Sequence, residues 1–142
     1  MKLAKSSVCV VLNLYKRPEM LLKQIDAIRN QSYKVSSIMI WNNGNDPEYC
    51  QSLSKEFTDI KIANSNVNYG VWARFAFALN STTEFVCLWD DDILPGKKWI
   101  ENCVRSFKKK KGLYGARGLI FKDKEKYTPN YKIGWSYPCN DI

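Results

Sequence analysis

The stretch EFVCLWDDDILPGKKW, residues 84–99, joins a hydrophobic run to three consecutive aspartates and a Pro-Gly pair. Residues 84–89 have the length of one strand and almost no polar interruption, which is typical of a strand buried on both faces of a sheet. Apolar residues then recur at helical spacing over residues 97–111. The stretch therefore predicts a buried strand, an acidic loop and a helix.

The same unit of strand, loop and helix recurs on the N-terminal side of this stretch. Residues 18–28 and 72–79 repeat apolar side chains at helical spacing. The second segment predicts a helix with one apolar face that packs inward, formed by Trp72, Phe75, Ala76 and Leu79. Such alternation predicts an α/β sandwich with a mainly parallel central sheet. The predicted strands are 7–14, 36–41, 60–63, 84–89 and 113–121, and the helices between them begin near residues 18, 47, 72 and 97.

Length, charge and cysteine content narrow the class of protein. A chain of 142 residues forms one domain with a genuine core. The five cysteines are an odd number, and no two have the spacing of a metal site or a redox pair, which predicts reduced thiols. Reduced thiols in turn predict a cytoplasmic protein, either a viral protein or a domain of a larger enzyme. No apolar run approaches a membrane span. The net charge of +8 suggests an anionic partner, although Lys108–Lys111 also suits a helix C-terminus.

Asp90, Asp91 and Asp92, here called the aspartate triplet, repel one another unless a cation or hydrogen-bond donors neutralise them. In an extended segment, residues i and i+2 point the same way, so Asp90 and Asp92 are expected to converge on a metal while Asp91 points elsewhere. Oxygen ligands favour Mg²⁺ or Mn²⁺, and the chain has no histidine. The alternative is a solvated acidic turn that caps the following helix.

Residues 84–99 resemble the strand, Asp-x-Asp motif and helix of glycosyltransferases with the GT-A fold, such as families 2 and 64. The earlier segments WNNGN (41–45) and NVNYGVWAR (66–74) match those families in the correct order. The resemblance covers residues 7–121. It implies a GT-A, Rossmann-like αβα sandwich in which residues 1–121 are the nucleotide-sugar-binding core. Residues 122–142 are then the acceptor-side tail of the same domain.

The resemblance also implies roles for particular residues. In those families the loop after the first strand contacts the nucleobase and ribose, which implies Asn13, Tyr15 and Arg17. The second strand usually ends in an aspartate that pairs with the base, whereas this chain has the amide pair Asn42 and Asn43, which leaves the base open. Three further residues match the loop and helix start that close over the nucleotide: Asn68, Gly70 and Arg74.

The activity implied is metal-dependent transfer of a hexose from a nucleoside-diphosphate sugar, with UDP-sugar favoured, to a hydroxyl of a glycan or glycoconjugate. Asp92 is then a metal ligand, Asp90 is its second ligand or a ribose contact, and Asp91 and Asp92 are the catalytic pair. The cofactor is Mn²⁺ or Mg²⁺, and no nucleic-acid partner is expected.

Three matters stay open at this point. An inverting enzyme needs a carboxylate base downstream of the fifth strand. The candidates there are Asp123, Glu125 and Asp141, so either the enzyme is retaining or the sequence stops short of the acceptor half. The aromatic residues of the tail could stack on an acceptor sugar or simply pack against the protein. They are Tyr127, Tyr131, Trp135 and Tyr137.

Three other functions are alternatives to a glycosyltransferase. They are a basic nucleic-acid-binding module, a sugar-phosphate nucleotidyltransferase and a transferase domain that binds without catalysis.

Overall fold

The structure, a computed structural model, describes residues 6–44, 47–121 and 129–134. It divides into two compact units, Met1–Val104 and Arg105–Ile142. The strands are β1 Val8–Leu14, β2 Ser37–Asn43, β3 Ile60–Ser65, β4 Phe85–Trp89, β5 Arg117–Phe121 and β6 Pro129–Gly134. The α-helices are α1 Pro18–Arg29, α2 Pro47–Glu56, α3 Ala73–Ala78 and α4 Trp99–Lys109, and Gly70–Trp72 forms a 3₁₀ turn before α3.

The first unit contains a four-stranded, wholly parallel sheet in the order β3-β2-β1-β4. Strand β1 is central and every one of its residues is buried, which accounts for its β-branched composition. The chain runs outward from β1 through β2 to β3 and then returns to the other side of β1 to form β4. This reversal places a topological switch point between the carboxyl ends of β1 and β4, where α/β sheets bind ligands. The predicted burial of β4 on both faces is wrong, because β4 lies at the edge of this sheet and Trp89 is its one buried residue.

The main core lies on the face of the sheet that α1, α2 and α4 cover. Leu12 of β1 and Trp89 of β4 are neighbours in the sheet and are 0% and 1% exposed. Each aliphatic side chain buried in this way contributes about 1.5–3 kcal/mol. The predicted apolar stripe on the first helix is formed except at Leu22, which is exposed. The helix residues in this core are Leu21, Ile25, Ile28, Leu53, Ile100 and Val104.

The opposite face of the sheet is covered by α3, and here the predicted inward face is wrong. Phe77 and Ala78 pack against the sheet beside Val11. Trp72 and Leu79 are 75% and 86% exposed. The apolar residues do recur at helical spacing. In a helix of only six residues that follows a 3₁₀ turn, however, this spacing does not determine which side of the helix faces the sheet.

The second unit pairs β5 with β6 in an antiparallel hairpin, with a register shift between Ile120 and Phe121. The strand predicted over 113–121 begins at Arg117. The boundary between core and tail at Phe121 stays a prediction, because most of residues 122–142 lie outside the described residues.

The cysteines that the structure describes fully are consistent with core thiols. Cys9, Cys87 and Cys103 are free, and Cys9 is buried. Burial raises the pKa of the Cys87 thiol to about 12, so this thiol stays neutral at physiological pH. Within the described ranges, every helix is too short or too polar to cross a membrane.

Candidate active site at the carboxyl ends of β1 and β4

The aspartate triplet lies in a turn, not in a strand. Strand β4 ends at Trp89, so the alternation of side chains expected over the triplet does not apply. Arg17 Nη1 lies 2.9 Å from Asp91 Oδ1 and 3.7 Å from Asp92 Oδ2. The prediction that Asp91 points away from Asp92 is therefore wrong, since both face one guanidinium.

The third carboxylate, Asp90, forms an ion pair with Arg74 of α3. The Arg74 side chain is 13% exposed. Burial lowers the pKa of Arg74, and the carboxylates of Asp91 and Asp92 act in the opposite direction. All three carboxylates thus act on Arg74, and the site balances three negative charges against two arginines from opposite sides of the switch point.

Local backbone geometry places Arg17 at this position. Lys16 has a left-handed backbone, with φ of 52°, and Arg17 N–H donates to Tyr15 O at 2.6 Å. The chain therefore turns sharply after β1 before Pro18 opens α1. Tyr15 is partly buried, and the Lys16 ammonium lies 5.0 Å from the centre of its ring. The turn directs Arg17 towards the aspartates.

Three buried side-chain atoms have no hydrogen-bond partner among the described residues: Asn13 Oδ1, Arg74 Nε and Trp89 Nε1. Asn13, near the end of β1, is 8% exposed and its Oδ1 is unpaired, as is Arg74 Nε. Asn13 alternates with Cys9 and Val11, so it lies on the face that α3 covers. An unpaired buried polar group costs about 1–3 kcal/mol. One acceptor and one donor on the same face therefore suit a polar ligand.

The amide pair at the end of β2 is buried and occupied by other contacts. Asn42 is 0% exposed and its Nδ2 donates to Asn64 Oδ1 at 3.2 Å. Asn43 is 2% exposed, and its Nδ2 donates to Asn68 Oδ1 at 2.8 Å and to Gly70 O at 3.1 Å. Its Oδ1 accepts from Tyr69 N–H at 2.9 Å and from an indole on its own strand at 3.2 Å. Asn43 therefore holds the loop between β3 and α3.

That loop also depends on Gly44, a residue that the sequence reasoning missed as part of the site. Gly44 has a φ of +86°, and a Cβ on it would lie 3.0 Å from the backbone nitrogen of Asn68. Asn68 Oδ1 in turn accepts from Gly70 N–H at 2.7 Å. The glycine in WNNGN signals a turn, but only the fold reveals the close approach of a second loop.

The aspartate triplet has donor atoms of the type that a divalent cation prefers. The aspartates supply oxygen donors, the chemistry that Mn²⁺ and Mg²⁺ prefer. Across the described part of the chain, however, no three acidic or cysteine side chains come close enough together to hold a metal.

The predictions for a general base and for the aromatic residues of the tail concern residues that, except for one, the structure does not describe. Asp123, Glu125 and Asp141 fall outside the described residues, as do Tyr127, Trp135 and Tyr137, while Tyr131 lies in β6. The acceptor side and any general base therefore stay predictions.

Solved structures share this fold over most of the chain. A mannosyltransferase, PcManGT from Pyrobaculum calidifontis in complex with GDP-Man and Mn²⁺, superposes with a TM-score of 0.62 and 19% identity over 72% of this chain and 32% of its own. TarS residues 1–349 from S. aureus superposes with a TM-score of 0.60 and 14% identity over 72% and 32% of the two chains. The same fragment is known in complex with UDP. This chain thus spans about a third of the length of these relatives.

No protein of curated function matches the sequence. The family model of glycosyl transferase family 2 matches residues 9–141, which covers nearly the whole chain and includes the triplet and the loops around it. The GT-A fold of the relatives agrees with the parallel sheet and its switch point. The chain therefore belongs to glycosyl transferase family 2.

Proposed function

We propose that this chain binds a nucleoside-diphosphate sugar together with Mn²⁺ or Mg²⁺ and transfers the sugar to a hydroxyl of a glycan or glycoconjugate. The observation that carries the proposal is the convergence, at the switch point between β1 and β4, of three carboxylates and two arginines. A diphosphate with a divalent cation matches both sets of charges. The phosphates suit the arginines and the cation suits the carboxylates.

The donor nucleotide is assigned to the loops around the switch point. Asn13 offers an unpaired acceptor and Tyr15 a partly buried ring for the nucleobase and ribose. Arg17 and Arg74 are assigned to the diphosphate, because a guanidinium binds phosphate oxygens through two parallel hydrogen bonds. Asn68 and Gly70 close the pocket on the α3 side. Asn42 and Asn43 support it from beneath, since both are buried.

The triplet is assigned to the cation and to the reaction. Asp92 and Asp90 are the proposed ligands, with Asp90 also within reach of a ribose, and Asp91 and Asp92 face the transferred sugar. When bound, the cation supplies Lewis-acid stabilisation of the diphosphate leaving group. Arg17 and Arg74 add positive charge at the same place, where the negative charge develops as the glycosidic bond breaks.

The identity of the base follows from the site only in part. The end of β2 carries amides where a base-pairing aspartate was expected, and both amides are engaged within the protein. The relatives of this fold include one solved with GDP-Man and one with UDP. UDP-sugar is our first choice of donor and GDP-sugar our second.

A thermal-stability screen tests the proposal. The chain is heated with Mn²⁺ or Mg²⁺ alone, with UDP, GDP, CMP or dTDP alone, and with each combination. We expect stabilisation that requires both the cation and one diphosphate. A ligand at 100 times its Kd stabilises the native state by about 2.7 kcal/mol, which shifts the melting temperature by several degrees.

Two variants make the screen specific. Asp92→Ala should lose the stabilisation while it keeps the melting temperature of the free protein. Asp59→Ala removes an aspartate from an exposed ion pair with Arg29 elsewhere in the unit and should keep it. A wild-type chain that ignores every diphosphate but is stabilised by random oligonucleotides in a salt-sensitive manner would instead favour the nucleic-acid-binding module.

A further inference from the structure

A buried glutamine on α1 holds the backbone of the turn that carries the aspartate triplet. Gln24 is 1% exposed. Its Nε2 donates to Asp90 O at 2.7 Å and to Ile93 O at 2.9 Å. These two carbonyls lie at either end of the turn. One side chain from the core therefore bridges the segment from its first to its last residue.

The turn gains little rigidity from its own backbone. Its internal hydrogen bond, from Ile93 N–H to Asp90 O, is long at 3.4 Å, whereas both bonds from Gln24 are short. A buried carboxamide without partners costs about 1–3 kcal/mol. Gln24 directs both of its amide hydrogens to the turn. The position of the turn and the burial of Gln24 thus depend on each other.

A second glutamine, which follows the same helix, holds the other end of the loop. Gln31 lies two helical turns after Gln24, just beyond the end of α1, and is 8% exposed. Its Nε2 donates to Gly96 O at 3.1 Å, and its Oε1 accepts from Ile100 N–H at 3.1 Å in the first turn of α4. Gln31 therefore caps α4, whereas Gln24 contacts the turn of the triplet.

The triplet needs such support because its carboxylates repel one another. Ion pairs with Arg17 and Arg74 hold the side chains of the free protein. A diphosphate would compete for both arginines. When that happens, the backbone alone must keep the carboxylates converged, and a bound cation tolerates displacements of only about 0.5 Å. Gln24 fixes this backbone from α1, through a side chain that is buried in the core.

We propose that Gln24 is a positioning residue that sets the geometry of the aspartate triplet for a divalent cation. The proposal rests on the proposed function, since it assumes that the triplet binds a cation with a nucleoside diphosphate. It adds that the affinity for the cation is determined partly from within the core, by a residue that touches neither the cation nor the nucleotide.

The test compares Gln24→Met with Gln31→Met. Methionine has a similar length and removes both donors in each case. The probe is Mn²⁺, titrated in the presence of whichever diphosphate stabilises the wild-type chain, with its electron paramagnetic resonance spectrum as readout. We expect Gln24→Met to weaken Mn²⁺ binding at least tenfold and to alter the spectrum of the bound ion. Gln31→Met should lower the melting temperature but keep the Mn²⁺ affinity within twofold.

A second substitution covers the case in which Gln24→Met does not fold. Gln24→Glu keeps the shape of the side chain, and because a buried carboxyl that faces two carbonyls stays protonated, it has one donor in place of two. It too should bind Mn²⁺ at least tenfold more weakly. Wild-type affinity and spectrum in the folded Gln24 variants would overturn the inference and leave the proposed function intact. A wild-type chain that binds no Mn²⁺ with any diphosphate would overturn both.

Discussion

Arg17 and Arg74 give the aspartate triplet its charge balance, but they do so from different environments. The Arg17 side chain is 48% exposed and that of Arg74 is 13% exposed. An exposed ion pair contributes only about 0–1 kcal/mol to stability. The position of Arg17 beside two carboxylates therefore adds little to the fold, and the role that we propose for Arg17 is in ligand binding.

Arg17→Ala tests this division between stability and binding. We expect the free energy of unfolding to fall by less than about 1 kcal/mol. The affinity for UDP with Mn²⁺, measured by isothermal titration calorimetry, should fall about tenfold or more, because a hydrogen bond to a charged group contributes about 1.5–3 kcal/mol.

The matched control for this substitution is Arg29→Ala. Arg29 forms a comparably exposed pair with Asp59, at 3.0 Å, remote from the triplet. It should show the same small loss of stability and no loss of UDP affinity. Equal UDP affinities for the two variants would contradict the role assigned to Arg17.

At the scale of elements, the site depends on the approach of two loops. The loop after β2 passes so close to the loop before α3 that Gly44 leaves no room for a Cβ. The carboxamide of Asn43 then joins the same loops through Asn68 and Gly70. The wall of the proposed nucleotide pocket is therefore formed by one strand end and one loop acting together.

Alanine substitutions at two glycines measure the importance of this approach. Gly44 and Gly70 both have positive φ, and alanine at either position costs about 1–2 kcal/mol in backbone strain. At Gly44 a Cβ would also lie 3.0 Å from backbone atoms, whereas at Gly70 it meets nothing within 4 Å. In urea unfolding, Gly44→Ala should therefore lose clearly more stability than Gly70→Ala. Similar losses would show that the loops separate without cost.

At the scale of the whole molecule, the two faces of the parallel sheet differ in how fully they are covered. The face under α1, α2 and α4 holds the large core, with Leu12 at its centre. The face under α3 has a small core, and Leu79, the residue that follows α3, is exposed. Stability should therefore come mainly from the first face.

One substitution made on each face checks this asymmetry. Leu12→Ala should lower the free energy of unfolding by about 2–5 kcal/mol, because it leaves a cavity in a close-packed core. Leu79→Ala should change it by less than about 0.5 kcal/mol, since that side chain is 86% exposed. Both values follow from chemical denaturation. A large loss at Leu79 would mean that this side chain is covered in solution.

Much of the fold was predictable because the spacing of apolar residues along a segment indicates whether the segment forms a helix or a strand. The continuous apolar runs of β1 and β4 and the stripe on α1 predicted those elements within one or two residues. For a helix as short as α3, the same spacing does not indicate which side faces the sheet. The side chains of Trp72 and Leu79, which flank this helix, were therefore wrongly predicted to point inward. The exposure of these two side chains was determined by tertiary packing, about which the local sequence pattern carries no information.

The sequence by itself determined that three aspartates follow an apolar strand of an α/β protein, because that information is local. Only the tertiary structure decided which groups meet them. Arg17 and Asp91 are 74 positions apart and come together because β1 and β4 pair in parallel across the switch point. No sequence pattern pointed to Gln24, since a glutamine in a helix is usually exposed and only the fold shows that this one is buried. Long-range pairing depends on strand order and burial, which no local spacing encodes.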